Sequence, residues 1–367
     1  MNKKKIFAVL MCLVLVAVFA LTACGTPAEE TPSETPAQEE PAQETPAQEE
    51  PAEEAPTAES DEQFEIVMIA KTEGLAWFDA MKRGVAEFND DFADVNAYQH
   101  SPEGADAAKQ AAMIEDYIAK GVDAICCVPN DPKALIPVVQ KAKEAGIVVV
   151  IHEGEDLAGI ADWDVEVFDN YEFGRVMGQK LGEAMGGKGK YAANVGGLTM
   201  QTHMQWWQGG TDYIKENFPD IELVNEQPYE DQDDAAIAYD ICKEILRAHP
   251  DLNGFLGCTV ESGSSMCRLL KETNNKNVKV SCLAVPSALG EYIKEGWCAN
   301  GQGNSPIDAG YATVMCAYKV LKGETIEEGS TVDLGKPGMD NCNVKDGVIK
   351  GDATIIFTPE NVDQYDF

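Results

Sequence analysis

The stretch ADAAKQAAMIEDYIAKGVDAICCVPNDPKALIPVVQKAKEAGIVVVIHEG, residues 105–154, decides the fold of this chain. Two short runs rich in Val and Ile, 124–128 and 147–152, alternate in it with two longer stretches of helical period, 105–120 and 132–145. Short β-branched runs are typical of buried strands. Strands and helices in regular alternation predict a parallel sheet that is covered by helices on both faces.

The same alternation continues on both sides of this stretch. Before it lie a strand, a helix and a strand at 64–70, 77–92 and 95–99. After residues 162–169 a second series of helices and strands follows at 171–185, 190–195, 203–218, 221–226, 234–248, 254–258, 264–271, 278–285 and 289–294. The pattern therefore predicts two doubly wound units.

We predict an α/β fold with two doubly wound parallel-sheet lobes, joined by a multi-strand hinge. Lobe one is expected at 64–168 plus about 300–325, lobe two at 169–299, and a C-terminal segment that crosses the hinge at 326–367. Ligands of such sheets lie beyond the carboxyl ends of the strands. A ligand cleft is therefore expected where the loops of the two lobes face each other.

The N-terminus has the features of an exported protein. Three lysines at 3–5 precede an apolar run at 6–21, and Leu-Thr-Ala leads to Cys24 and Gly25. This order predicts a signal peptide at 1–24. The small residues before Cys24 resemble the lipobox of bacterial lipoproteins, which implies that Cys24 carries the lipid. An uncleaved anchor helix is the alternative, but the apolar run is shorter than the roughly 20 residues that span a bilayer.

Residues 25–63 consist almost entirely of Pro, Ala, Glu, Gln, Thr and Ser, and residues 34–43 recur almost unchanged at 44–53. Such sequence cannot form a core and stays extended and solvated. We therefore expect a disordered tether, with a repeated motif for a partner as the alternative.

The charge of the chain restricts its partners. The formal net charge is −35, and the body at 64–367 carries 50 of the 63 acidic and 25 of the 28 basic residues. A negative field of this size repels phosphate backbones and anionic lipid surfaces. Nucleic acid is therefore excluded as a partner, and membrane contact is expected through the lipid anchor only.

The cysteines of the body do not form a recognisable framework. Their number is odd, they include no Cys-x-x-Cys pair, and most lie in apolar runs, which argues against a zinc ribbon or a complete set of disulfides. We expect free buried thiols that pack as small hydrophobic groups, as in a reducing or anaerobic habitat. These residues are Cys126, Cys127, Cys242, Cys258, Cys267, Cys282, Cys298, Cys316 and Cys342.

The order of several short motifs resembles the sugar-binding proteins of ABC importers, ribose-binding branch. The motifs are Lys71 with Trp77-Phe78 after the first strand, Asp123-Ala124-Ile125, Asp169-Asn170 at the expected crossover, and Asn304 with Gly310 at the last helix. The ending at 359–367 is more similar to the rhamnose and autoinducer-2 binding proteins. The resemblance covers nearly all of 64–367.

The resemblance implies roles for particular residues. Lys71 matches a loop lysine that reaches the ligand in the autoinducer branch, and Trp77 with Phe78 matches an aromatic pair that stacks on the sugar ring. Glu153 falls where the family has an aspartate after the fourth strand. Trp206 matches an arginine or tryptophan position of lobe two, and Asn304 replaces a hinge-side glutamine of the ribose branch.

Other positions depart from both branches. Thr202 and His203 stand where the autoinducer branch has Asp-Gln, and Cys258 with Val260 stand where it has Pro-x-Ala. Ala284 stands where the ribose branch has an aspartate. The identity of neither ligand is therefore transferred to this chain.

A cleft for a sugar needs aromatic plates for the apolar ring face and polar groups for the hydroxyls. Adjacent helical residues diverge by about 100°, so we expect Trp77 to face the cleft and its neighbour to pack on the sheet, and likewise one of Trp206 and Trp207. A buried first helical turn is the structural alternative. The candidate ligand-binding residues are Lys71, Trp77, Phe78, Asn130, His152, Glu153, Thr202, His203, Trp206, Thr259 and Asn304.

Two acidic clusters invite a metal interpretation. The run His152-Glu153-Gly154-Glu155-Asp156 lacks the His-Glu-x-x-His spacing, and its glycine indicates a loop. Glu230, Asp231, Asp233 and Asp234 lack the glycine-centred calcium loop and are better explained as an acidic helix start. We predict no metal and no cofactor.

The sequence thus predicts a monomeric extracytoplasmic substrate-binding protein, lipid-anchored to the outer face of the cell membrane. It would capture a sugar or sugar-like small polar ligand by hinge closure and deliver it to ABC permease subunits. A ligand sensor that presents a sugar or quorum signal to a membrane receptor is the alternative. A cleft hydrolase using Glu153 with His152 or His203 lacks a nucleophile arrangement, and we predict no enzymatic activity.

Overall fold

The computed structural model describes residues 63–367, which belong to one compact unit. The predicted signal peptide, residues 25–62 of the predicted tether and Cys24 lie outside the described residues. Within residues 63–367, no helix is both long enough and apolar enough to cross a membrane.

Strands and helices alternate along the described chain. The strands are β1 Phe64–Ile69, β2 Val95–Gln99, β3 Ala124–Cys127, β4 Val148–His152, β5 Trp163–Glu166, β6 Lys188–Val195, β7 Asp220–Leu223, β8 Tyr229–Glu230, β9 Gly254–Gly257, β10 Lys279–Leu283, β11 Asn300–Gly303, β12 Thr331–Val332, β13 Cys342–Lys345, β14 Val348–Lys350 and β15 Ile355–Phe357. The helices are α1 Ala76–Asp91, α2 Ala107–Lys120, α3 Pro132–Glu144, α4 Asn170–Ala184, α5 Gln201–Asn217, α6 Ala235–Ala248, α7 Val260–Glu272, α8 Pro286–Lys294 and α9 Pro306–Leu321, with 3-10 turns at Glu155–Leu157 and Val362–Gln364.

Lobe one is built on a sheet with the strand order β12-β13-β14-β5-β4-β3-β1-β2. Its central strands are parallel, so that Ile66 of β1 lies opposite Ala97 of β2 and Ala124 of β3. Alternate residues of β1 enter different cores: Ile66 packs with α1, and Val67 packs on the opposite side of the sheet. Both faces of the sheet are therefore covered, as the uninterrupted apolar strands predict.

Lobe two is built on a second sheet with the order β15-β11-β10-β9-β6-β7, and β8 pairs with β6. All of its pairs are parallel except β15, which runs antiparallel to β11. The two sheets confirm the predicted α/β class with two doubly wound lobes.

The second sheet corrects one predicted boundary. Residues 300–303 form β11, which pairs with β10 through Asn300 opposite Ser281, so this segment belongs to lobe two. The expectation that lobe one resumes at about residue 300 is therefore a few residues too early. The glycines of β11 hid the strand, because Asn-Gly-Gln-Gly lacks the β-branched residues by which the other strands are recognised.

The lobes are joined by several chain segments. Within residues 63–367 the chain passes from one sheet to the other between β5 and α4, between β11 and α9, and between β14 and β15. The last helix, α9, returns to lobe one, where it packs on α1, β3 and β4. Such crossings are the segments about which two lobes can open and close.

Side chains cap the starts of several helices. The carboxylate of Asp131 accepts hydrogen bonds from the backbone amides of Lys133 and Ala134 at the start of α3. Ser305 caps α9 by accepting from the amide of Asp308. These caps satisfy backbone donors that the first helical turn leaves free and place each helix directly after a strand end.

Candidate functional site

The carboxyl ends of the strands from both sheets face one another and enclose a cavity. The space between these ends is narrow, and its volume of about 340 Å³ includes part of the open solvent at the cavity mouth. Its walls come from lobe one through the loops after β1 and β4 and the first turn of α1, and from lobe two through α5, the loop before α6, the start of α7 and the end of β10. The lining residues are Lys71, Leu75, Trp77, Phe78, Glu153, His203, Trp206, Asp233, Thr259, Val260, Glu261 and Leu283.

A buried ion pair forms the lobe-one end of the cavity. Lys71 Nζ lies 2.8 Å from Glu153 Oε2, and the two residues are 2% and 7% exposed. Burial alone would lower the pKa of Lys71, but the carboxylates of Glu153 and Asp233 outweigh it and raise this pKa. Burial likewise opposes ionisation of Glu153, yet the charge of Lys71 lowers its pKa to about 2. Both partners are therefore charged at neutral pH.

The backbone around Glu153 is held in an uncommon conformation. Glu153 has φ +61°, in the left-handed region that non-glycine residues rarely adopt. The next residue, Gly154, leaves no room for a side chain, because an added Cβ would lie 2.6 Å from Ile151 and 2.8 Å from Pro129. Its amide donates to Asp164 Oδ1 at 3.1 Å. Strained backbone of this kind persists where surrounding contacts hold it, often at binding sites.

Two tryptophans and a phenylalanine supply the aromatic walls. Trp77 and Phe78 in the first turn of α1 both line the cavity. The expectation that only Trp77 faces the cleft is therefore wrong. Side chains of a first turn project towards the helix N-terminus, which here is the cavity, so the 100° between neighbours does not turn Phe78 away.

Trp206 and His203 form the lobe-two wall. The indole Nε1 of Trp206 donates to Asn170 Oδ1 at 2.9 Å, which fixes the ring, whereas Trp207 does not line the cavity. The His203 ring stacks on Trp206 with centroids 5.2 Å apart. The amide of Gly196 donates to His203 Nδ1 at 3.1 Å, so the ring proton resides on Nε2. Burial, aided by the charge of Lys71, lowers the pKa of His203 to about 3, and the ring is neutral.

The carboxyl groups of Asp233 and Glu261 also line the cavity. Neither residue was predicted to belong to the site. Asp233 is 8% exposed and has φ +50°. Within residues 63–367, no hydrogen bond or ion pair engages its carboxyl group. Burial raises the pKa of Asp233 to about 6, and burial followed by the charge of Asp233 raises that of Glu261 to about 8.

Asp233 and Glu261 were missing from the predicted site for two different reasons. Asp234, not Asp233, is the N-cap of α6, so the predicted acidic helix start holds for one residue of the run only. Helix α7 begins at Val260, four residues before the predicted start, which brings Glu261 into a first turn at the cavity. The Thr259 Oγ1 that caps this helix, accepting from the Ser262 amide at 3.0 Å, was the available signal.

Other predicted ligand residues support the site from behind. Thr259 reaches the cavity, but its hydroxyl donates to buried Asp231 at 2.5 Å. Asn130 donates to the backbone oxygen of Lys71 at 3.0 Å and holds that loop. The Thr259 hydroxyl proton is engaged by Asp231, and Asn130 does not line the cavity, so both act here as positioning residues.

Besides Asn130, three predicted residues do not line the cavity. His152 is fully buried, and its Nδ1 lies 2.7 Å from the Val165 carbonyl oxygen. Asn304 bonds to the Ser305 carbonyl at 3.2 Å, on the hinge. Thr202 donates to the backbone oxygen of Glu153 at 3.2 Å and so links the lobes. Strand and helix geometry, which the sequence pattern leaves undefined, turns these side chains away from the cavity.

The loop after β4 contacts α5 directly across the cleft. Besides the Thr202 bond, the Asp156 amide donates to Gln201 Oε1 at 2.8 Å and Gln205 Nε2 donates to Glu155 Oε2 at 2.8 Å. The lobes are therefore closed on one another. A larger groove of about 1000 Å³ lies outside these contacts, between α3 and α5, and opens to solvent. We place the site in the smaller cavity, because the buried charges and the aromatic walls are there.

Among residues 63–367, no three His, Cys, Asp or Glu side chains are arranged to hold a metal ion. The nine body cysteines are free thiols, and all of them are buried. Burial raises the pKa of the Cys127 thiol to about 12 and leaves it neutral. Thiols in this state pack as small hydrophobic groups.

Comparison with known proteins agrees with this architecture. A family model described as a periplasmic binding protein domain matches residues 66–325. The D-apiose import binding protein of Paraburkholderia graminis is 30% identical over 176 residues, which are 48% of this chain and 55% of that protein. The D-ribose/D-allose-binding protein of Pseudomonas aeruginosa is 36% identical over 97 residues, 25% of this chain and 30% of that protein. These matches thus span less than two thirds of either relative.

Solved structures share the fold over a larger part of the chain. LsrB from Clostridium saccharobutylicum in complex with AI-2 has a TM-score of 0.75 at 20% identity and covers 83% of this chain and 100% of its own. An ABC transporter solute binding protein from Clostridium phytofermentas with bound L-rhamnose has the same TM-score and identity and covers 83% and 98%. At this identity the likeness is one of fold.

Proposed function

Because this chain belongs to the periplasmic binding protein family, we propose that it captures a sugar or sugar-like small polar ligand outside the cytoplasm for an ABC importer. The cavity between the lobes carries the proposal. It combines aromatic walls, Trp77, Phe78 and Trp206, with the buried polar groups of Lys71 and Glu153. Apolar plates with a few fixed polar groups suit a ring that has C–H faces and a rim of hydroxyls.

The names of the relatives support the ligand class. The partly matching relatives bind D-apiose and D-ribose or D-allose by name. The third, a xylitol-binding protein of Mycolicibacterium smegmatis, is 27% identical over 65% of this chain. The departures at Thr202, His203 and Ala284 set this chain apart from the ligand sets of the branches that it resembles, so the particular compound is left to experiment.

The mechanism is closure about the hinge. In the open form the two walls separate, and the ligand contacts one lobe first. Contacts to the second lobe favour the closed form, and at saturation the ratio of closed to open molecules rises by the ratio of the ligand affinities of the two forms. The bonds from Thr202, Gln201 and Gln205 to the loop after β4 then add to closure. No covalent bond changes, and binding without turnover is part of the proposal.

Lipid anchoring at Cys24 is a further part of the proposal and depends on residues 1–24 alone. In the native host, the full-length protein should incorporate labelled palmitate and sediment with membranes. Cys24→Ser should lose the label. A label that survives this substitution would contradict anchoring at Cys24.

The proposed function is tested by thermal shift of the full-length chain against monosaccharides, polyols, nucleosides and autoinducer-2. A ligand at 100 times its Kd should stabilise the folded form by about 2.7 kcal/mol. At least one sugar or polyol should do so, and Glu153→Ala should remove the response. If only compounds of another class stabilise the chain, or none does, the proposed ligand class is wrong.

A further inference from the structure

We propose that the ligand is a hydroxylated ring that carries a protonated amine, an amino sugar in chemical class, whose ammonium group lies between Asp233 and Glu261. This inference rests on the proposed function and narrows it. It depends on an imbalance between anionic and cationic groups at the cavity.

The imbalance is visible in the cavity lining. Three carboxyl groups, Glu153, Asp233 and Glu261, face the cavity, against one cation, Lys71. Lys71 is already bonded to Glu153 at 2.8 Å. The remaining two carboxyl groups come from different segments of lobe two, and within residues 63–367 neither has an ion-pair partner. A buried anion without a partner is unfavourable, so native proteins pair such charges or neutralise them.

The neighbouring histidine does not supply the missing charge. Asp233 Oδ1 and His203 Nδ1 both lie against Gly196, since a Cβ added there would be 2.7 Å from the first atom and 2.8 Å from the second. His203 Nδ1 accepts the Gly196 amide proton, so the ring presents an acceptor at this point. The neutral ring keeps its one donor, Nε2–H, on the other side. The Asp233 carboxylate therefore lies beside a second hydrogen-bond acceptor, His203 Nδ1, and not beside a donor.

A protonated amine meets these conditions better than a hydroxyl group. A hydroxyl donates one hydrogen bond and brings no charge, whereas an ammonium group brings three donors and a full positive charge. It would pair with two carboxyl groups whose pKa values burial raises, an effect that the charge of Lys71 offsets only in part at Asp233. Trp77, Phe78 and Trp206 complete the environment, because aromatic faces attract a nearby cation and also stack on a ring.

The alternative is a neutral sugar bound while Asp233 and Glu261 stay protonated. In that case the carboxyl groups act as ordinary hydrogen-bonding groups, and an amine gains nothing over a hydroxyl at the same ring position. Ligand pairs that differ only at that position separate the two cases.

The experiment is isothermal titration of the full-length chain with D-glucosamine against D-glucose and with D-galactosamine against D-galactose. N-acetyl-D-glucosamine removes the charge and keeps the nitrogen. We expect the amine of at least one pair to bind at least 10-fold more tightly than its hydroxyl partner and its N-acetyl form. Asp233→Asn should reduce this margin to less than threefold.

Asp234→Asn is the matched control. It removes one negative charge from the neighbouring exposed residue and keeps an equally good N-cap for α6, so the margin should stay unchanged. If Asp233→Asn does not fold, Glu261→Gln removes the second of the two proposed carboxylates, which is less buried. The ratio of the amine affinity to the hydroxyl affinity should again fall at least threefold.

Each outcome decides the question. Neutral sugars that bind as tightly as their amines overturn the inference and leave the proposed function standing. A margin that survives both Asp233→Asn and Glu261→Gln overturns the assignment to these carboxyl groups. If no amine and no sugar or polyol binds, the inference and the proposed function both fail.

Discussion

Lys71 Nζ lies 2.8 Å from Glu153 Oε2 although 81 residues separate them in the sequence, and both side chains are buried. Lys71 follows β1 and Glu153 follows β4, with β3 paired between these strands. Parallel pairing brings the carboxyl ends of all three strands to one edge of the sheet, and this edge forms a wall of the cavity. The pair therefore joins the fold directly to the candidate site.

Breaking this pair should destabilise the protein more than removing it entirely. Lys71→Met leaves the Glu153 charge buried without a partner, which should lower the free energy of unfolding by about 3–5 kcal/mol. Lys71→Met with Glu153→Gln removes both charges and should recover at least half of that loss. Urea denaturation of the full-length chain at pH 7 measures both values.

The pH dependence of this effect has a definite sign. The pKa of Glu153 is lowered to about 2 in the folded state, so its contribution to stability is present above the unfolded value of about 4.3. It is lost as the pH falls through about 2. Equal stabilities of the single and double variants at pH 7 would show that the pair is not ionised.

A second prediction concerns the aromatic wall. Trp77→Ala should weaken binding of the best ligand found at least 10-fold, because the side chain is a wall of the cavity and aromatic rings supply much of the contact area for a sugar. Trp297→Ala is the control. That indole lies on lobe two under Lys276, with Nε1 donating to Glu295, away from the cavity. Titration calorimetry should show an affinity within threefold of wild type for the control. Equal losses in both variants would contradict the assignment of the wall.

A third prediction concerns two buried carboxyl groups on β5, at the crossover between the lobes. Asp164 and Glu166 are 0% and 1% exposed, and Asp164 Oδ2 and Glu166 Oε1 both lack a partner within residues 63–367. Burial raises the pKa of Asp164 to about 8, and burial followed by the charge of Asp164 raises that of Glu166. One proton shared between the two oxygens would satisfy both.

The raised pKa of Asp164 sets the direction in which the stability of the protein changes with pH. The folded chain holds this proton more tightly than the unfolded chain, so the stability that the proton provides is fully present below about pH 3.8 and is lost as the pH rises through about 8. Asp164→Asn keeps the acceptor for the Gly154 amide and needs no proton. Between pH 5 and pH 8, the free energy of unfolding of the Asp164→Asn variant should rise relative to that of the wild type by at least about 2 kcal/mol. Urea melts at the two values test this, and an unchanged difference would contradict a protonated Asp164.

A fourth prediction concerns the close packing of α4 on α5, the helix that carries Trp206 and His203. A Cβ added at Gly178 of α4 would lie 2.2 Å from the Gly210 backbone oxygen. Gly178→Ala should therefore push the helices apart and lower the free energy of unfolding by about 1–3 kcal/mol. Gly290→Ala in α8 meets only Val362 Cγ2 at 3.4 Å and should be neutral or stabilising by up to about 1 kcal/mol. Thermal denaturation compares them, and equal effects would show that close packing is not the cause.

The sequence predicted the two lobes because their signals are local. The apolar strands, the helical periods and caps such as Asp131 each occupy a few neighbouring residues, and their alternation permits few arrangements. The strand β11 was missed because its two glycines carry no strand signal. The family match later confirmed the class that this order and the resemblance had predicted.

The side chains of the site were predicted only in part. The resemblance implied that Lys71 and Glu153 lie at the ligand, and both residues follow predicted strands, whose carboxyl ends form the cleft edge. Asp233 was attributed to a helix start because a run of acidic residues does not reveal which one caps the helix. The prediction for Glu261 depended on where α7 begins. The helix begins four residues earlier than predicted, which places Glu261 in its first turn at the cavity.

By itself, then, the sequence determined the α/β class, the number of lobes and the edge of each sheet where a ligand would bind, since periodicity and capping are properties of neighbouring residues. Only the tertiary structure decided which side chains meet there. It brought together Lys71, Glu153, Asp233 and Glu261 from four separate segments, and it left three carboxyl groups facing one ammonium group. The balance of charge in a cavity depends on distances between segments and on their burial, and neither quantity exists until the lobes have folded against each other.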